Sequence, residues 1–267
     1  MKWIFALNER SNANYGNDSY ELMAQVAVYS AKMAAPLLEP YLLWSGKENE
    51  FTGSMRRLGV TVIPHTISIS DSIDSAQRPE DWRHIAKGVI LRLDIPTVFS
   101  SSTEQILYTD VDTMFLDDPS NYKFDKPLFA FSSEFNYDNF ERINSGVMIL
   151  NLEGARHAFP SFISWTKQNL DWIPDYDQGA IQTFFNGRWD KLDQRMNWKP
   201  YWNRSENPIV VHFHGPEPTD FDPITLRPKF DPRGQDIYAQ LYRCNTKAYR
   251  EYVSKWVSIA NDYFCSD

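Results

Sequence analysis

The sequence predicts an α/β protein with a mostly parallel sheet flanked by helices. Strand-like apolar runs alternate with helix-like segments through the first half of the chain, and this βαβα order is typical of parallel sheets. Hydrophobic side chains make up 42% and charged side chains 23% of the 267 residues, which is near the average for globular domains. No apolar run reaches the ~20 residues that a membrane span needs. We therefore expect a globular protein with no integral membrane segment, located in the cytoplasm.

The first half supplies most of this pattern. Pro36 and Pro96 mark two helix ends, because a proline disfavours helical backbone at the residue before it. We expect strands over residues 2–8, 40–46, 60–67 and 105–112, and helices over residues 20–35, 54–59 and 79–96. The Asn- and Gly-rich loop over residues 9–19 should lie at the carboxyl edge of the sheet, where ligands bind in such folds.

The second half is less regular. It predicts strands over residues 127–134, 143–153 and 209–215, and helices over residues 155–170 and 177–187. After about Asp236, aromatic and aliphatic residues recur at helical spacing, which indicates a helix packed on the core. With no repeat and no clear linker, we expect one domain over residues 1–267 with a helical C-terminal extension over about residues 220–267.

Charge and composition narrow the function. A net charge of −8 argues against general nucleic-acid binding, because neutralising phosphates requires a basic surface. Cys244 and Cys265 have no metal-ligand spacing and are expected to be reduced thiols. Aromatic residues make up 15% of the chain, which fits either a large aromatic core or rings that stack on sugars.

Two aspartates stand at the end of a predicted strand, in the stretch ILYTDVDTMFLDD. Asp110 and Asp112 are flanked by apolar residues on both sides, and residues two apart in an extended chain point the same way. The pair is either a solvated turn in which each carboxylate caps backbone N–H groups, or a site for a divalent cation, which offsets the repulsion between them.

Two histidines at the end of another apolar strand supply a third ligand. His212 and His214 stand in VVHFHG, followed by a glycine that allows a close backbone approach. Two aspartates and one imidazole suit Mn²⁺, with Mg²⁺ as the alternative. The remaining coordination positions would hold a diphosphate.

Four segments in order now resemble one family. They are ILYTDVDTMFLDD, INSGVMILNLEGAR, DQGAIQTFFNGRWDKLDQRMNW and VVHFHGPEP. Together they resemble the retaining nucleotide-sugar glycosyltransferases of family eight, which include glycogenin and the bacterial lipopolysaccharide galactosyl- and glucosyltransferases. The resemblance covers residues 1 to about 218. It implies the GT-A fold, a Rossmann-like single domain.

The resemblance implies a metal and diphosphate site. Asp110, Asp112 and His212 would bind Mn²⁺, which holds the diphosphate of UDP. Val111, between the two aspartates, falls among the donor-binding residues. Gly215 would let backbone N–H groups approach the phosphates.

The resemblance also implies residues that contact the sugar and the uridine. Arg92 matches a basic residue ahead of the aspartate strand. The others are Asn144, Ser145 and Gly146 along the sugar pocket, Asp177 and Gln178 beside the donor hexose, and Leu7, Asn8 and Glu9 at the uridine edge. Asp177 and Gln178 are the candidate catalytic residues.

One position departs from the family pattern. The motif after His212 usually continues to a phosphate-binding lysine followed by Pro-Trp, whereas this chain has Glu217 near the place of the lysine. Arg227 and Lys229, further downstream, are candidate substitutes for its positive charge. The departure weakens the expectation of tight donor binding and of catalysis.

The predicted activity is transfer of a hexose, glucose or galactose, from a UDP-sugar to an acceptor hydroxyl with retention of configuration. The acceptor is a carbohydrate or another hydroxyl compound, and no nucleic acid is a partner. Same-face attack and a double displacement through Asp177 both remain open. The rival functions are a non-catalytic carbohydrate- or nucleotide-binding module of the same fold and a metal-dependent phosphohydrolase.

Overall fold

The structure, a computed structural model, describes residues 1–9, 19–99, 104–122, 128–203 and 206–266. These residues form two compact units. The first unit contains residues 1–9, 39–99, 104–109 and 128–192, and the second contains residues 19–38, 110–122, 193–203 and 206–266. The predicted single domain over residues 1–267 stays a prediction. The predicted position of the Asn- and Gly-rich loop falls on residues 10–18, outside the described residues.

The strands, numbered in chain order, have the following bounds. They are β1 Lys2–Asn8, β2 Glu39–Ser45, β3 Thr61–Pro64, β4 Gln105–Thr109, β5 Thr113–Phe115, β6 Phe129–Ser133, β7 Ile143–Asn151, β8 Asp190–Lys191 and β9 Val210–His212.

The α-helices, numbered in the same way, are α1 Ser19–Ala34, α2 Glu50–Arg57, α3 Ser70–Ser75, α4 Glu80–Val89, α5 Ile95–Val98, α6 Leu152–Asn169, α7 Tyr176–Phe185, α8 Ile237–Cys244 and α9 Thr246–Ser266. Short 3₁₀ helices cover Ile90–Asp94, Pro119–Asn121, Gln194–Asn197 and Pro218–Asp220.

The first unit is built on a seven-stranded sheet with the strand order β3-β2-β1-β4-β7-β6-β8. Strands β1 to β4 pair in parallel, as does β6 with β8, whereas β7 runs antiparallel to both β4 and β6. The predicted fold class, a mostly parallel sheet flanked by helices, is therefore confirmed. Because β1, β2 and β4 are parallel, their carboxyl ends meet at one edge of the sheet.

The core of the first unit lies between this sheet and the helices packed on it. It includes Ile4 of β1, Ile106 of β4, Met148 of β7 and Phe185 of α7, each at most 1% exposed. Burying an aliphatic or aromatic side chain of this size stabilises the fold by about 1.5–3 kcal/mol. The near-continuous apolar runs in β1, β4 and β7 follow from burial on both faces of the sheet.

Several predicted elements differ from the structure. The helix predicted over residues 79–96 is broken into α4, the 3₁₀ helix Ile90–Asp94 and α5. The strand predicted over residues 105–112 ends at Thr109, so both aspartates follow the strand. The helix predicted over residues 54–59 is α2, which begins earlier because Asn49 and Thr52 form a capping box.

The second unit contains a two-stranded antiparallel sheet of β5 and β9, in which Thr113 pairs with His212. The strand predicted over residues 209–215 is thus shorter than expected. Helices α8 and α9 form the predicted helical tail. In α9, Tyr249, Val253 and Trp256 are buried, which confirms that this stripe packs on a core.

Two further predictions concern membranes and cysteines. None of the described helices combines the length and the apolar character needed to cross a bilayer. The cytoplasmic location stays a prediction. Cys244 and Cys265 are both free and exposed, as predicted.

The turn that leads into α7 has unusual backbone. Asp175 and Tyr176 are consecutive non-glycine residues with left-handed φ angles of 50° and 51°, a conformation that costs free energy in L-residues. Gly179 closes the turn, and a Cβ atom there would lie 1.6 Å from the carbonyl oxygen of Pro174. Only glycine fits at this position without moving the backbone.

We predict that Gly179→Ala destabilises the protein more than Gly187→Ala. Gly187 has a positive φ of 82°, and a Cβ atom there would have nothing within 4 Å, so alanine costs only the left-handed penalty of about 1–2 kcal/mol. Gly179→Ala must in addition push the backbone at Pro174 away. Urea unfolding measures both variants, and equal losses of unfolding free energy would contradict the prediction.

Candidate functional site

Three potential metal ligands lie together in the second unit. One side-chain ligand atom from each of Asp110, Asp112 and His212 lies within 4.8 Å of the other two. Among the described residues, this is the one group of three or more potential metal ligands that lie so close together. Asp110 and Asp112 stand in the short turn before β5, which the Thr113 hydroxyl closes by donating to the Asp110 carbonyl at 2.8 Å. The Phe213 N–H donates to the Asp112 carbonyl at 2.9 Å, which ties this turn to the histidine strand.

Asn197 sets the orientation of the His212 ring. The Asn197 Oδ1 atom lies 2.9 Å from His212 Nδ1, and both residues are buried. An amide oxygen only accepts hydrogen bonds, so Nδ1 carries the proton. In the neutral ring, the lone pair is then on Nε2, which lies 3.4 Å from Asp112 Oδ2. Two acceptors at this distance repel unless a proton or a cation stands between them.

The electrostatics of Asp112 follow from this contact. Burial acts to raise the pKa of Asp112, but the electrostatic interaction and hydrogen bond with His212 and the nearby His214 outweigh burial and hold the pKa below its usual value. Asp112 is therefore an ionised carboxylate beside an imidazole.

This donor set fits a divalent cation. Two carboxylates and one imidazole form a mixed oxygen and nitrogen site, in which the buried Asn197 plays the part of an outer partner that orients the imidazole. The two carboxylates suit Mg²⁺ and Mn²⁺, and an imidazole suits a transition metal better than it suits Mg²⁺.

The neighbouring predicted residues lie around this group. Val111 is buried between the two aspartates, at 5% exposure. His214 is engaged elsewhere, because its Nδ1 atom lies 3.0 Å from the Tyr201 hydroxyl. Gly215 has a φ of 115°, which favours glycine, and a Cβ there would lie 2.7 Å from Leu241 Cδ1, so the end of the leucine side chain would have to move.

Glu217 is half-buried in the same unit. Burial, the charge of Asp112 and the charge of Asp220 raise its pKa from 4.5 to about 8, although a hydrogen bond with Tyr20 acts in the opposite direction. At neutral pH the side chain therefore holds a proton and is uncharged in most molecules.

The first unit contains a second polar cluster. The Ser145 hydroxyl donates to Asp177 Oδ2 at 2.9 Å, and the Ser145 N–H donates to Gln178 Oε1 at 3.1 Å. Arg92 Nε lies 3.4 Å from Asp177 Oδ2, and Arg92 Nη1 donates to the Ser145 carbonyl at 3.3 Å. Asp177, Ser145 and Arg92 are all at most 6% exposed. The structure thus brings together four residues from three separate motifs of the sequence.

Two residues that the sequence analysis missed belong to these clusters. Asn144 Oδ1 accepts from the Gly146 N–H at 3.3 Å, and its Nδ2 donates to Glu134 Oε2 at 3.2 Å. Glu134 is a buried carboxylate at 5% exposure, and its sequence signal was an acid directly after the apolar strand β6. Asn197 stands between Met196 and Trp198 in a mostly polar stretch, so it carried no comparable signal in the sequence.

The predicted uridine-binding residues stand at the carboxyl end of β1. Leu7 and Asn8 are buried and pair with Trp44 and Ser45 of β2. Glu9 is exposed, and its Oε2 atom accepts from the Lys47 N–H at 3.2 Å. Glu9 is therefore already engaged with the loop after β2.

Comparison with solved structures identifies the fold. No family model and no curated protein matches this chain. The galactosyltransferase LgtC, solved with donor and acceptor sugar analogues, is 18% identical over 97% of this chain and 95% of its own, with a TM-score of 0.66.

Two further structures have the same fold. GlyE of Streptococcus pneumoniae TIGR4 is 15% identical over 99% of this chain and 63% of its own, with a TM-score of 0.59. The bifunctional glycosyltransferase WbbM is 12% identical over 96% of this chain and 51% of its own, with a TM-score of 0.62. At these identities the likeness establishes the fold, and the predicted GT-A architecture is confirmed.

We predict that Glu217→Gln flattens the dependence of stability on pH. The folded-state pKa of Glu217 lies above the unfolded value, so the unfolded chain releases its proton first as the pH rises. The free energy of unfolding therefore falls between about pH 4.5 and pH 8, and glutamine, which does not ionise, removes this fall. Urea unfolding at pH 5 and pH 9 measures the difference in unfolding free energy. Glu251→Gln, on the exposed face of α9, is the control, and an equal effect in both variants would contradict the assignment.

Proposed function

We propose that this protein is a glycosyltransferase that moves a hexose from a UDP-sugar to an acceptor hydroxyl with retention of configuration. The observation that carries the proposal is the group of Asp110, Asp112 and His212, with ligand atoms within 4.8 Å of one another. The fold supports it, since the similar structures LgtC, GlyE and WbbM are described as glycosyltransferases. The four ordered motifs support it independently.

The three ligands would hold Mn²⁺, or Mg²⁺ in its place. A divalent cation, when bound, neutralises charge on a diphosphate and stabilises the leaving group. The role of the protein is to present the ligands in the right form. Asn197 keeps the proton on His212 Nδ1 and leaves Nε2 available, while the ionised Asp112 supplies a carboxylate oxygen.

The polar cluster of the first unit would bind the sugar. Asp177 is fixed by Ser145 and by Arg92, so its carboxylate has a defined direction from which to accept hydroxyl groups. Gln178 is likewise held by the Ser145 N–H. Buried, fully engaged polar groups discriminate strongly between ligands, because a mismatched ligand leaves them unpaired. Glucose and galactose differ at one hydroxyl, so the preference between them depends on the contacts that this hydroxyl makes.

In the proposed step, the bond between the anomeric carbon and the UDP oxygen breaks, and a bond to the acceptor oxygen forms. We favour attack on the same face of the sugar, in which the acceptor proton passes to the leaving phosphate oxygen. The ion pair with Arg92 supports this choice, because it lowers the nucleophilicity of Asp177. A double displacement through Asp177 is the alternative.

The raised pKa of Glu217 weakens the electrostatic objection to a diphosphate ligand near this residue. A carboxylate in place of the phosphate-binding lysine would repel phosphate. With a pKa raised to about 8, Glu217 is mostly neutral at pH 7, so this repulsion is small and its O–H group is a hydrogen-bond donor.

The second candidate function is a binding module that holds the sugar nucleotide without turnover. The absence of a lysine from the stretch HFHGPEP favours it, since a neutral acid supplies less transition-state stabilisation than a cation. The phosphohydrolase alternative is weaker, because such sites usually gather more than three ligands around two metals.

We expect Asp112→Asn to lose metal-dependent activity while it still folds. Wild-type protein incubated with Mn²⁺ and UDP-glucose or UDP-galactose should release UDP slowly, and EDTA should abolish this release. The variant should release UDP about 100- to 1000-fold more slowly, because its amide supplies no negative charge to the cation. Measurement of free UDP tests this expectation.

Asp118→Asn is the matched control, because Asp118 caps a 3₁₀ helix through Ser120 in the same unit and asparagine caps equally well. Unchanged UDP release in Asp112→Asn would remove the site assignment. Metal-dependent thermal stabilisation without UDP release, over a panel of acceptors, would favour the binding module. Release of sugar phosphate or inorganic phosphate would favour the hydrolase.

We also expect Asn197→Ala to weaken Mn²⁺ binding by about 10- to 100-fold, as is typical when the outer partner of a histidine ligand is removed. Electron paramagnetic resonance of free Mn²⁺ gives the affinity without any turnover. Tyr201→Phe is the control, since it removes the hydroxyl contact with His214 and leaves Asn197 in place. Equal affinities in wild type and Asn197→Ala would show that the tautomer is not controlled by Asn197.

A further inference from the structure

Asp94 is a buried carboxylate that the proposed reaction does not use. It is 1% exposed and is the last residue of the 3₁₀ helix Ile90–Asp94. Its Oδ2 atom accepts from the Ser68 N–H at 2.7 Å and contacts His65 Nε2 at 2.9 Å, while Oδ1 accepts from the Ser68 hydroxyl at 2.6 Å. We call Asp94, His65 and Ser68 the carboxylate clamp. Burying a carboxylate is costly unless such partners are present, so the clamp fixes one geometry.

The clamp is anchored to the sheet of the first unit. His65 directly follows β3, and its backbone N–H donates to the Trp44 carbonyl of β2 at 2.8 Å. The Thr97 hydroxyl donates to the backbone carbonyl of Asp94 at 2.7 Å from the other side. The end of the 3₁₀ helix is therefore held between the edge of the sheet and α5.

The same short helix carries Arg92. Its guanidinium lies 4.9 Å from the centre of the Tyr108 ring, and its Nε atom donates to the Val89 carbonyl of the preceding turn at 2.9 Å. Its contacts with the proposed sugar-binding cluster are 3.3 Å to the Ser145 carbonyl and 3.4 Å to Asp177. Both distances are near the upper limit for a hydrogen bond. A small displacement of the helix would lose them, and Arg92 stands only two residues before Asp94.

A 3₁₀ segment between two α-helices often marks a place where the backbone can adjust. This segment therefore needs an external restraint if Arg92 is to keep its position. The clamp supplies that restraint from a loop that contributes no residue to the proposed sugar-binding cluster.

We propose that Asp94, with His65 and Ser68, is a positioning group that holds Arg92 against Ser145 and Asp177. The consequence for catalysis rests on the proposed function, in which Asp177 contacts the donor sugar. Asp94 itself contacts neither the sugar nor the metal ligands. The alternative is that the clamp stabilises the fold and has no specific effect on Arg92.

The test is Asp94→Asn in the full chain. Asparagine keeps only one acceptor oxygen. If that oxygen replaces Oδ2, the Ser68 hydroxyl must turn round to accept from Nδ2; in the other orientation the Ser68 N–H loses its acceptor, so the substitution weakens the clamp. We expect a crystal structure of the variant to show Arg92 displaced by about 1 Å, a shift of the size that costs about 100-fold in turnover. Arg92 in its original contacts would overturn the proposal, whatever the protein catalyses.

Measurements of kcat distinguish a positioning role of Asp94 from a general effect of Asp94 on protein stability. If wild type releases UDP, Asp94→Asn should lower kcat about 100-fold and leave Mn²⁺ affinity unchanged. In an Arg92→Ala background the same substitution should change kcat less than about twofold, because the residue it positions is gone. The same 100-fold loss in both backgrounds would overturn the proposal.

Two further variants keep the test decisive. If Asp94→Asn does not fold, Ser68→Ala removes only the hydroxyl contact and should give a smaller displacement of Arg92 in the same direction. Asp171→Asn is the matched control, since Asp171 also accepts a backbone N–H, from Gln77 at 2.6 Å. If wild type releases no UDP with any donor, the proposed function fails, and the crystal structures alone then decide for or against the positioning role.

Discussion

The candidate metal site depends most on the contact between the His212 imidazole and the Asp112 carboxylate. Asn197 accepts the hydrogen bond from Nδ1, so the remaining ring nitrogen faces a carboxylate oxygen at 3.4 Å. Two electron-rich atoms held this close by a buried network need something positive between them. Residues from the turn before β5, from β9 and from the 3₁₀ helix Gln194–Asn197 must all be in place for this contact to exist. The rest of the second unit serves to keep them there.

The polar cluster of the first unit has a different charge balance. Arg92 already supplies the positive charge for Asp177, and Ser145 supplies hydrogen bonds to both Asp177 and Gln178. In this cluster the carboxylate already has a cationic partner, whereas His212 Nε2 and Asp112 need a proton or a cation between them. The difference in charge balance favours the group around His212 as the place for a cation.

Much of the fold could be predicted from the sequence, because its signals are local. The apolar run of β1, the helical spacing of α1 and the stripe along α9 need only neighbouring residues. Strand direction is not local, and β7 is antiparallel although its sequence is as apolar as that of β1. The break at Ile90 was missed because the segment keeps helical spacing while Asp94 bonds to a loop some 26 residues earlier.

In the candidate site, Asp110, Asp112 and His212 were found from strand ends, but Asn197 and Glu134 were missed, since their roles depend on partners distant in sequence.

The hydrogen bond from the Ser145 N–H to the Gln178 amide has one further consequence. It occupies one lone pair of the amide oxygen and fixes which end of the side chain faces the backbone of β7. The oxygen keeps a second lone pair that can accept, and the NH₂ group is a donor. A ligand that contacts Gln178 therefore meets an amide whose rotation about its last bond is restricted before the ligand arrives.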